Sequence, residues 1–410
     1  MTTQQQLYQA ILDNPDDDAP RLIFADWLEE NGDTERATFI RKQIEVANWS
    51  VDHPKRMTMG DPGWDFEKSI AGGGYELAEQ RSPVWDPELQ DVGRTRRYRR
   101  GFVEDVEFST CQSFLRAAKR MFENAPVQTV AIRRSFTGSK AWNRCPYLDR
   151  LRRLALLGWD EIRWKATVFA DVLKSESLSN LRALDLMNLP VLADAIPKVL
   201  ADAGHLDKLS LLWLDESIIG DAGLKQLAII PHLASVRVLG LRGCDLSWNG
   251  IEHLAQSQYL QNIEELYLGV GNRWYDENSL GTRGIRALVE ASFPNLRVLN
   301  LESCEIGDAG LLVLAKWPGL ASVRYLDLSW NNYSEKGLIA FTESSYLQGL
   351  RRLKIGSEFY MDAVAQAILR SPHLSQLLEL NVDSENLSES MLNALQERFG
   401  DRLGEPDDGY

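Results

Sequence analysis

Residues 320–331 read Leu320-Ala-Ser-Val323-Arg-Tyr-Leu326-Asp-Leu328-Ser-Trp-Asn331, and residues 233–244 read Leu233-Ala-Ser-Val236-Arg-Val-Leu239-Gly-Leu241-Arg-Gly-Cys244. Both place apolar residues at the first, fourth, seventh and ninth positions. The closing apolar-variable-apolar step has a period of two, which marks a strand sending alternate side chains into a core. The same quartet recurs as Leu148/Leu151/Leu154/Leu156, Leu178/Leu181/Leu184/Leu186, Leu206/Leu209/Leu212/Leu214 and Leu260/Ile263/Leu266/Leu268. It continues as Phe293/Leu296/Leu299/Leu301, Leu347/Leu350/Leu353/Ile355 and Leu374/Leu377/Leu380/Val382. Weaker copies stand at Val103/Val106/Phe108 and Val127/Val130/Ile132. Counted on the second apolar position, the intervals are 24, 24, 30, 28, 27, 27, 33, 27, 27 and 27.

The second half of each copy has helical spacing. Ile219-Gly-Asp221-Ala-Gly-Leu224-Lys-Gln-Leu227 and Ile306-Gly-Asp308-Ala-Gly-Leu311-Leu-Val-Leu314 put apolar residues three apart behind an Asp. Asp221 and Asp308 are expected to cap the helices that they open. One strand and one helix of this length cannot bury an apolar face alone, whereas stacked neighbours can. The pattern resembles the leucine-rich repeat, and its dominant 27-residue period resembles the ribonuclease-inhibitor-like subtype. The resemblance implies an α/β solenoid, horseshoe-shaped, with parallel strands on the concave face and helices on the convex face. About eleven repeats are expected over residues 102–399. Cys111, Cys244 and Cys304 stand three residues past the last strand position, as does Asn331. The family places Asn or Cys there, which implies that these residues cap backbone amides inside the turn.

Residues 1–48 break the period. Helices are expected over Gln4–Leu12, from Pro20 to Asn31-Gly32, and over Asp33–Val46. The run Asn14-Pro15-Asp16-Asp17-Asp18-Ala19-Pro20-Arg21-Leu22-Ile23-Phe24-Ala25-Asp26-Trp27-Leu28-Glu29-Glu30-Asn31-Gly32-Asp33, with Arg36-Ala37-Thr38-Phe39-Ile40-Arg41-Lys42-Gln43, resembles the bacterial repeat-companion domain. Arg100-Gly101-Phe102-Val103-Glu104 and Ala125-Pro126-Val127 resemble the segment that precedes the repeats in such proteins. The resemblance implies a small N-terminal all-α module over 1–48, covering the open end of the solenoid, and no activity. Residues 49–101 read as a linker or insertion, and 400–410 as an acidic tail. Ala71-Gly72-Gly73-Gly74-Tyr75 lacks the Lys-Ser/Thr of a phosphate loop.

Composition bounds the chemistry. The 410 residues carry 45 Lys and Arg against 59 Asp and Glu, a net charge of −14, which argues against non-specific coating of nucleic acid by the whole chain. Four Cys cannot make a disulfide scaffold, so a reducing, cytoplasmic setting is expected, and no run approaches the ~20 apolar residues of a membrane span. Three consecutive acids at 16–18 lack the alternating ligands of a calcium loop and suit helix capping. His205, His232 and His373 each precede the first Leu of a repeat, one structural position seen three times. No metal site, cofactor or catalytic constellation is expected. Cys145, off the repeat pattern beside Arg144, is the residue on which a cryptic enzyme would depend, and no His adjoins it.

The expected function is therefore a non-catalytic scaffold, sensor or regulator that binds a protein partner along the concave strands. Period two points Arg153, Asp185, Trp213, Asp215, Arg242, Glu265, Tyr267, Asn300, Glu302, Tyr325 and Asp327 to that face. Trp213, Tyr267 and Tyr325 are expected to face solvent as contact residues. Trp159, Trp248, Trp274 and Trp330 are expected near one rim. A second, less favoured partner is nucleic acid or an acidic protein. From Arg94 to Lys165 there are 17 Lys and Arg against 7 Asp and Glu, with Arg94, Arg96, Arg97, Arg99, Arg100, Arg133 and Arg134 as the candidate patch. That patch could equally pair with the acidic N-terminal module. The sequence is silent on oligomeric state.

Overall fold

The structure is a computed structural model that describes residues 2–49, 75–135, 139–158, 165–270, 278–357 and 359–404. Trp159, Trp274, the triple glycine and the tail beyond Gly404 lie outside these residues. The chain forms two compact units, Met1–Leu181 and Arg182–Tyr410.

The first unit opens with three helices, α1 (Thr3–Asp13), α2 (Ala19–Glu30) and α3 (Thr34–Ala47). Thr2 and Gln5 cap α1 reciprocally, Pro20 sits in the first turn of α2, and Asp33 accepts from the Arg36 amide to start α3. Their apolar faces meet at Ile11, Phe24, Ala25, Leu28, Ala37, Ile40 and Ile44, and Phe102 from outside the helices completes the cluster.

Residues 75–99 are not a linker. They form α4 (Tyr75–Trp85) and β1 (Thr95–Arg99), which pairs antiparallel with β2 (Phe102–Thr110). Two aromatics hold the stretch down. Trp85 and Tyr98 lie 5.0 and 5.9 Å from the Phe39 ring, and the Tyr98 hydroxyl donates to Asp86. Isolated aromatic anchors leave no periodic stripe, so the segment resembles a linker in composition. Helix α5 (Cys111–Asn124) then leads to β3 (Thr129–Ser135) and β4 (Arg153–Leu156), and β2, β3 and β4 run parallel.

Gly101, at φ +86°, makes the turn between β1 and β2 against α3. A Cβ there would stand 2.3 Å from the Ile40 side chain and 2.7 Å from its Cα, so only glycine lets the turn approach the helix. Beside it, Arg100 reaches back to the loop before α2. Its Nη2 donates to the Pro15 carbonyl (2.9 Å) and its Nε and Nη2 to Glu104 (3.0 Å each). Glu104 also receives Arg21 at 2.5 Å, in a pair whose side chains are 2% and 0% exposed.

The second unit is a run of parallel strands: β5 (Ala183–Asp185), β6 (Leu211–Trp213), β7 (Val238–Gly240), β8 (Glu265–Tyr267), β9 (Val298–Asn300), β10 (Tyr325–Asp327), β11 (Arg352–Ile355), β12 (Glu379–Val382) and β13 (Leu403–Gly404). Each pairs with the next. Strands β2 to β12 are the eleven predicted copies, and the central Leu of each copy from Leu154 to Leu380 is buried. The protein is an α/β leucine-rich-repeat solenoid.

One predicted role is corrected. Asp221 and Asp308 do not cap their own helices. Asp221 accepts from the Ser247 and Gly250 amides (2.9 Å each), and Asp308 from the Ser334 amide (2.7 Å), so each ties down the helix of the following repeat. Asp362 does the same for Ser388, and these bonds hold its carboxyl below the usual range. The cysteines serve the turn from both sides: the Ser217, Ile218 and Ile219 amides face the Cys244 sulfur, as expected of a cap. Cys244 and Cys304 donate their thiols to the Leu214 and Leu268 carbonyls (3.1 and 3.2 Å).

Their amides are served from the next repeat. Asn331 Oδ1 accepts from Cys304 and Ile306 (3.0 and 3.1 Å), while its Nδ2 donates to the Leu301 and Leu328 carbonyls. Asn278 does this for Cys244 and Leu246. The extra residues of the 33-residue interval fall between Leu268 and Asn278, which hides this asparagine from the repeat count.

Candidate functional site

In the second unit the register aligns equivalent residues side by side. The third strand positions form a row, Asp185, Trp213, Gly240, Tyr267, Asn300, Asp327, Lys354 and Asn381. Adjacent strands lie about 4.8 Å apart, so large side chains in one row must touch. Gly240 supplies no side chain, and the rings of Trp213 and Tyr267 lean in over it until their centroids are 4.9 Å apart. A Cβ on Gly240 would fall 1.7 Å from Trp213 Cε3. The Arg242 guanidinium sits 5.7 and 5.6 Å from the two ring centroids, and its Nε donates to Asp215 Oδ2 at 2.8 Å. Tyr267 donates its hydroxyl to Glu265 (2.9 Å).

A second cluster follows three strands on. Asp327 accepts from the Tyr325 hydroxyl (3.2 Å), the Asn300 amide (3.4 Å) and the Ser329 backbone (3.0 Å), with Lys354 Nζ at 3.9 Å. Arg352 stacks 4.9 Å from the Tyr325 centroid and pairs with Glu379 at 2.7 Å.

This packing corrects the expected exposure. Trp213 and Tyr267 are 0% exposed and Tyr325 7%. Asp185, Asp215, Glu265, Asn300 and Asp327 are buried as well, while Arg153, Arg242 and Glu302 stay partly open. The strand direction was read correctly, but period two says only which face a residue takes. Parallel register then lets neighbours cover one another. The half-exposed positions include Ala183, Leu211 and Val238, a registered apolar strip at the first strand position. Of the predicted rim tryptophans, Trp248 lies under the Arg283 guanidinium at 3.6 Å, and both Trp248 and Trp330 are half-buried.

The basic run does not form one face. Arg97 is buried, Arg100 is bound to Glu104 and the module, Arg133 pairs with Glu107 at 2.7 Å, and Arg96 donates to the Gln90 and Val92 carbonyls. Arg94, Arg99 and Arg134 are exposed. Arg94, Arg96 and Tyr98 line one wall of a cavity of about 230 Å³, faced by Ala78, Glu79 and Ser82 of α4. All four cysteines are buried and outside any disulfide. Burial pushes Cys111 up to about 12 and raises Cys145 and Cys244. Among the described residues no group of three or more His, Cys, Asp or Glu could hold a metal, and no helix is long and apolar enough to cross a membrane.

Two features went unread in the sequence. Gly240 is one. The other is the residue just before each strand, which reads Arg182, Ser210, Arg237, Glu264, Arg297, Arg324, Arg351 and Leu378. Backbone bonds of 2.7–2.8 Å join each of these residues to the next, amide to carbonyl, so they form one continuous row. The signal was present as an Arg recurring directly after the second apolar position.

Residues 294–315, around β9, match the family described as Leucine Rich repeat. No curated protein sequence matches the chain. Among solved structures, a Bacteroides fragilis protein is similar over 68% of this chain and 74% of its own, at 13% identity and a TM-score of 0.35. TLR13, in its complex with ssRNA13, is similar over 68% of this chain and 45% of its own, at 17% identity and a TM-score of 0.30. The chain thus spans less than half of that protein.

Proposed function

We propose that this chain is a non-catalytic scaffold that binds a protein partner along the open strand face of residues 182–404, in the role of a sensor or regulator. Leucine-rich repeats serve as protein-binding scaffolds in general. One observation carries the reading for this chain: the Trp213–Tyr267–Arg242 cluster is packed and paired in the free protein. A face whose side chains are already ordered loses little rotamer freedom when a partner arrives. Trp213 and Tyr267 then act as positioning residues, and half-exposed Leu211, Val238, Arg242 and Glu302 make the contacts.

Leu211→Glu places a charge on that strip at the surface. It is expected to abolish capture of a partner held by the wild-type protein, with an unchanged unfolding midpoint. Undiminished capture would remove the strand face from the reading. The pairing of Arg100 with Glu104 and of Arg133 with Glu107, and the burial of Arg97, weigh against nucleic acid at 94–165, and the buried thiol of Cys145 gives an enzyme no support. Residues 1–48 are read as a companion module that covers the open N-terminal end of the repeats, a reading that Phe102 inside its core supports.

A further inference from the structure

The helices of the second unit stack side by side as its strands do. They include α6 (Trp248–Ala255), α7 (Gly281–Glu290), α8 (Gly307–Leu314), α9 (Glu335–Thr342) and α10 (Asp362–Arg370), each packed on the next. A glycine at one equivalent position (Gly250, Gly284, Gly310, Gly337) aligns α6 to α9, and Asp362 aligns α10 because it bonds Ser388 as Asp308 bonds Ser334. The residue before that glycine and those two, three and six after it lie within an arc of about 100°. They face away from the core, which α8 reaches through Leu311 and Leu314.

The middle of this outward face changes character along the stack. In α8 it is Leu312 and Val313, and in α9 Ile339 and Ala340, with Leu312 44% exposed and the others half-buried. The equivalent residues are Glu252 and His253 in α6, and Gln366 and Ala367 in α10. The apolar positions are thus contiguous on two adjacent helices, with polar ground on either side.

The charges at the two ends of the face say what covers it. In α7 these are Arg283 and Glu290, and in α9 they are Lys336 and Glu343, all exposed. A two-fold axis through the middle of α8 lays α8 antiparallel on its own copy, and α7 on the copy's α9. Arg283 then meets Glu343 of the second copy, Glu290 meets Lys336, and symmetry makes each pair twice. Leu312 meets Val313 at the axis. The Trp248 ring lies 3.6 Å from the Arg283 guanidinium and holds it in place. An axis between α8 and α9 would instead set Lys316 against Lys336 and Arg283 against Arg370, so like charges oppose it. An axis through α9 gives Glu290 no cation.

We infer that this helix face binds a second copy of this chain, in a two-fold homodimer centred on Leu312. Five helices about 12 Å long and 8–10 Å apart offer roughly 500 Å² per copy, the small end of specific interfaces, so association is weak and depends on concentration. The strands face the other side of the unit, so the dimer carries two of the faces proposed to bind a partner. The inference stands or falls apart from that proposal.

The test is analytical ultracentrifugation of the full chain over a concentration series into the high micromolar range. The wild type is expected to pass from monomer to dimer. Leu312→Glu brings two charges together at the axis and is expected to weaken association about a hundredfold. Glu290→Lys sets like charges against Lys336 and is expected to cost about tenfold. Adding Lys336→Glu reverses the pair and is expected to restore the dimer. Should Leu312→Glu lower the unfolding midpoint, the charge reversal, at two exposed residues, still decides. A chain that stays monomeric throughout overturns the inference, even if it captures another protein on this face. So does a dimer that a folded Leu312→Glu leaves intact, or a reversed pair that fails to restore what Glu290→Lys removed.

Discussion

The two units use one repeat position differently. In the first, Arg152 is covered by the chain's own Asp16, and the surrounding arginines are committed to carboxylates: Arg21 and Arg100 to Glu104, Arg133 to Glu107. In the second, Arg324 is held by three carbonyls of its own turn, equivalent to those that hold Arg152. A repeat position is thus a fixed presentation of a side chain, and what it binds depends on what lies alongside. The first unit uses its charges to seat a helical module. The second uses buried charge pairs, Arg352 with Glu379 and Lys354 beside Asp327, to fill its strand face.

Variants can break this contrast. The largest effect is expected from Glu104→Ala, which strands Arg21 in a buried site without its carboxylate. A loss of roughly 3–5 kcal/mol, read by denaturant unfolding of the first unit, is anticipated. Asn331→Ala leaves the Cys304 and Ile306 amides unserved inside the second unit and should cost roughly 2–5 kcal/mol, with faster amide exchange at those two positions. Gly240→Ala overpacks the Trp213–Tyr267 contact at a cost of about 1–3 kcal/mol. Its near-ultraviolet circular dichroism should change, and an unaltered aromatic spectrum would contradict the packing.

Asp16→Asn removes one partly exposed pair and is expected to cost only about 0.2–1 kcal/mol. Denaturant unfolding of the first unit checks it, and a markedly larger loss would contradict a surface pair at Arg152 and Asp16. The smallest expected effect is none at all. All four thiols are buried, and burial raises the pKa of Cys111, Cys145 and Cys244, so iodoacetamide should label no cysteine of the folded chain at neutral pH. Rapid labelling of Cys145 alone would reopen a reactive-thiol role.

Much of the fold was legible because burial repeats. Leu326 and Leu353 occupy equivalent inward positions 27 residues apart, and that regularity survives in one dimension. The helices of residues 3–47 were legible from caps and spacing, and Pro20 and Asp33 stand where those signals place them. The segment 75–99 was not. Trp85 and Tyr98 acquire meaning only by packing on Phe39, some forty to sixty positions away in sequence. The site was half legible. Period two identified the face of Trp213 and Tyr267, but their burial depends on Gly240 in the strand between them. Asp221 looked like a cap for its own helix because capping is usually local, yet it serves the next repeat, 26 residues on.

The sequence by itself determined the repeat, the strand at the head of each copy, the direction each strand residue takes and the acidic run before α2. Those properties follow from local periodicity and side-chain polarity, which neighbours along the chain express without help. Only the tertiary structure decided which of those residues meet water. Stacking copies about 4.8 Å apart brings residues 27 positions distant into contact, and whether a side chain is covered depends on the volume and charge of its neighbours in the adjacent strands. That lateral contact turned Trp213 and Tyr267 into a platform and lined the arginines into a row.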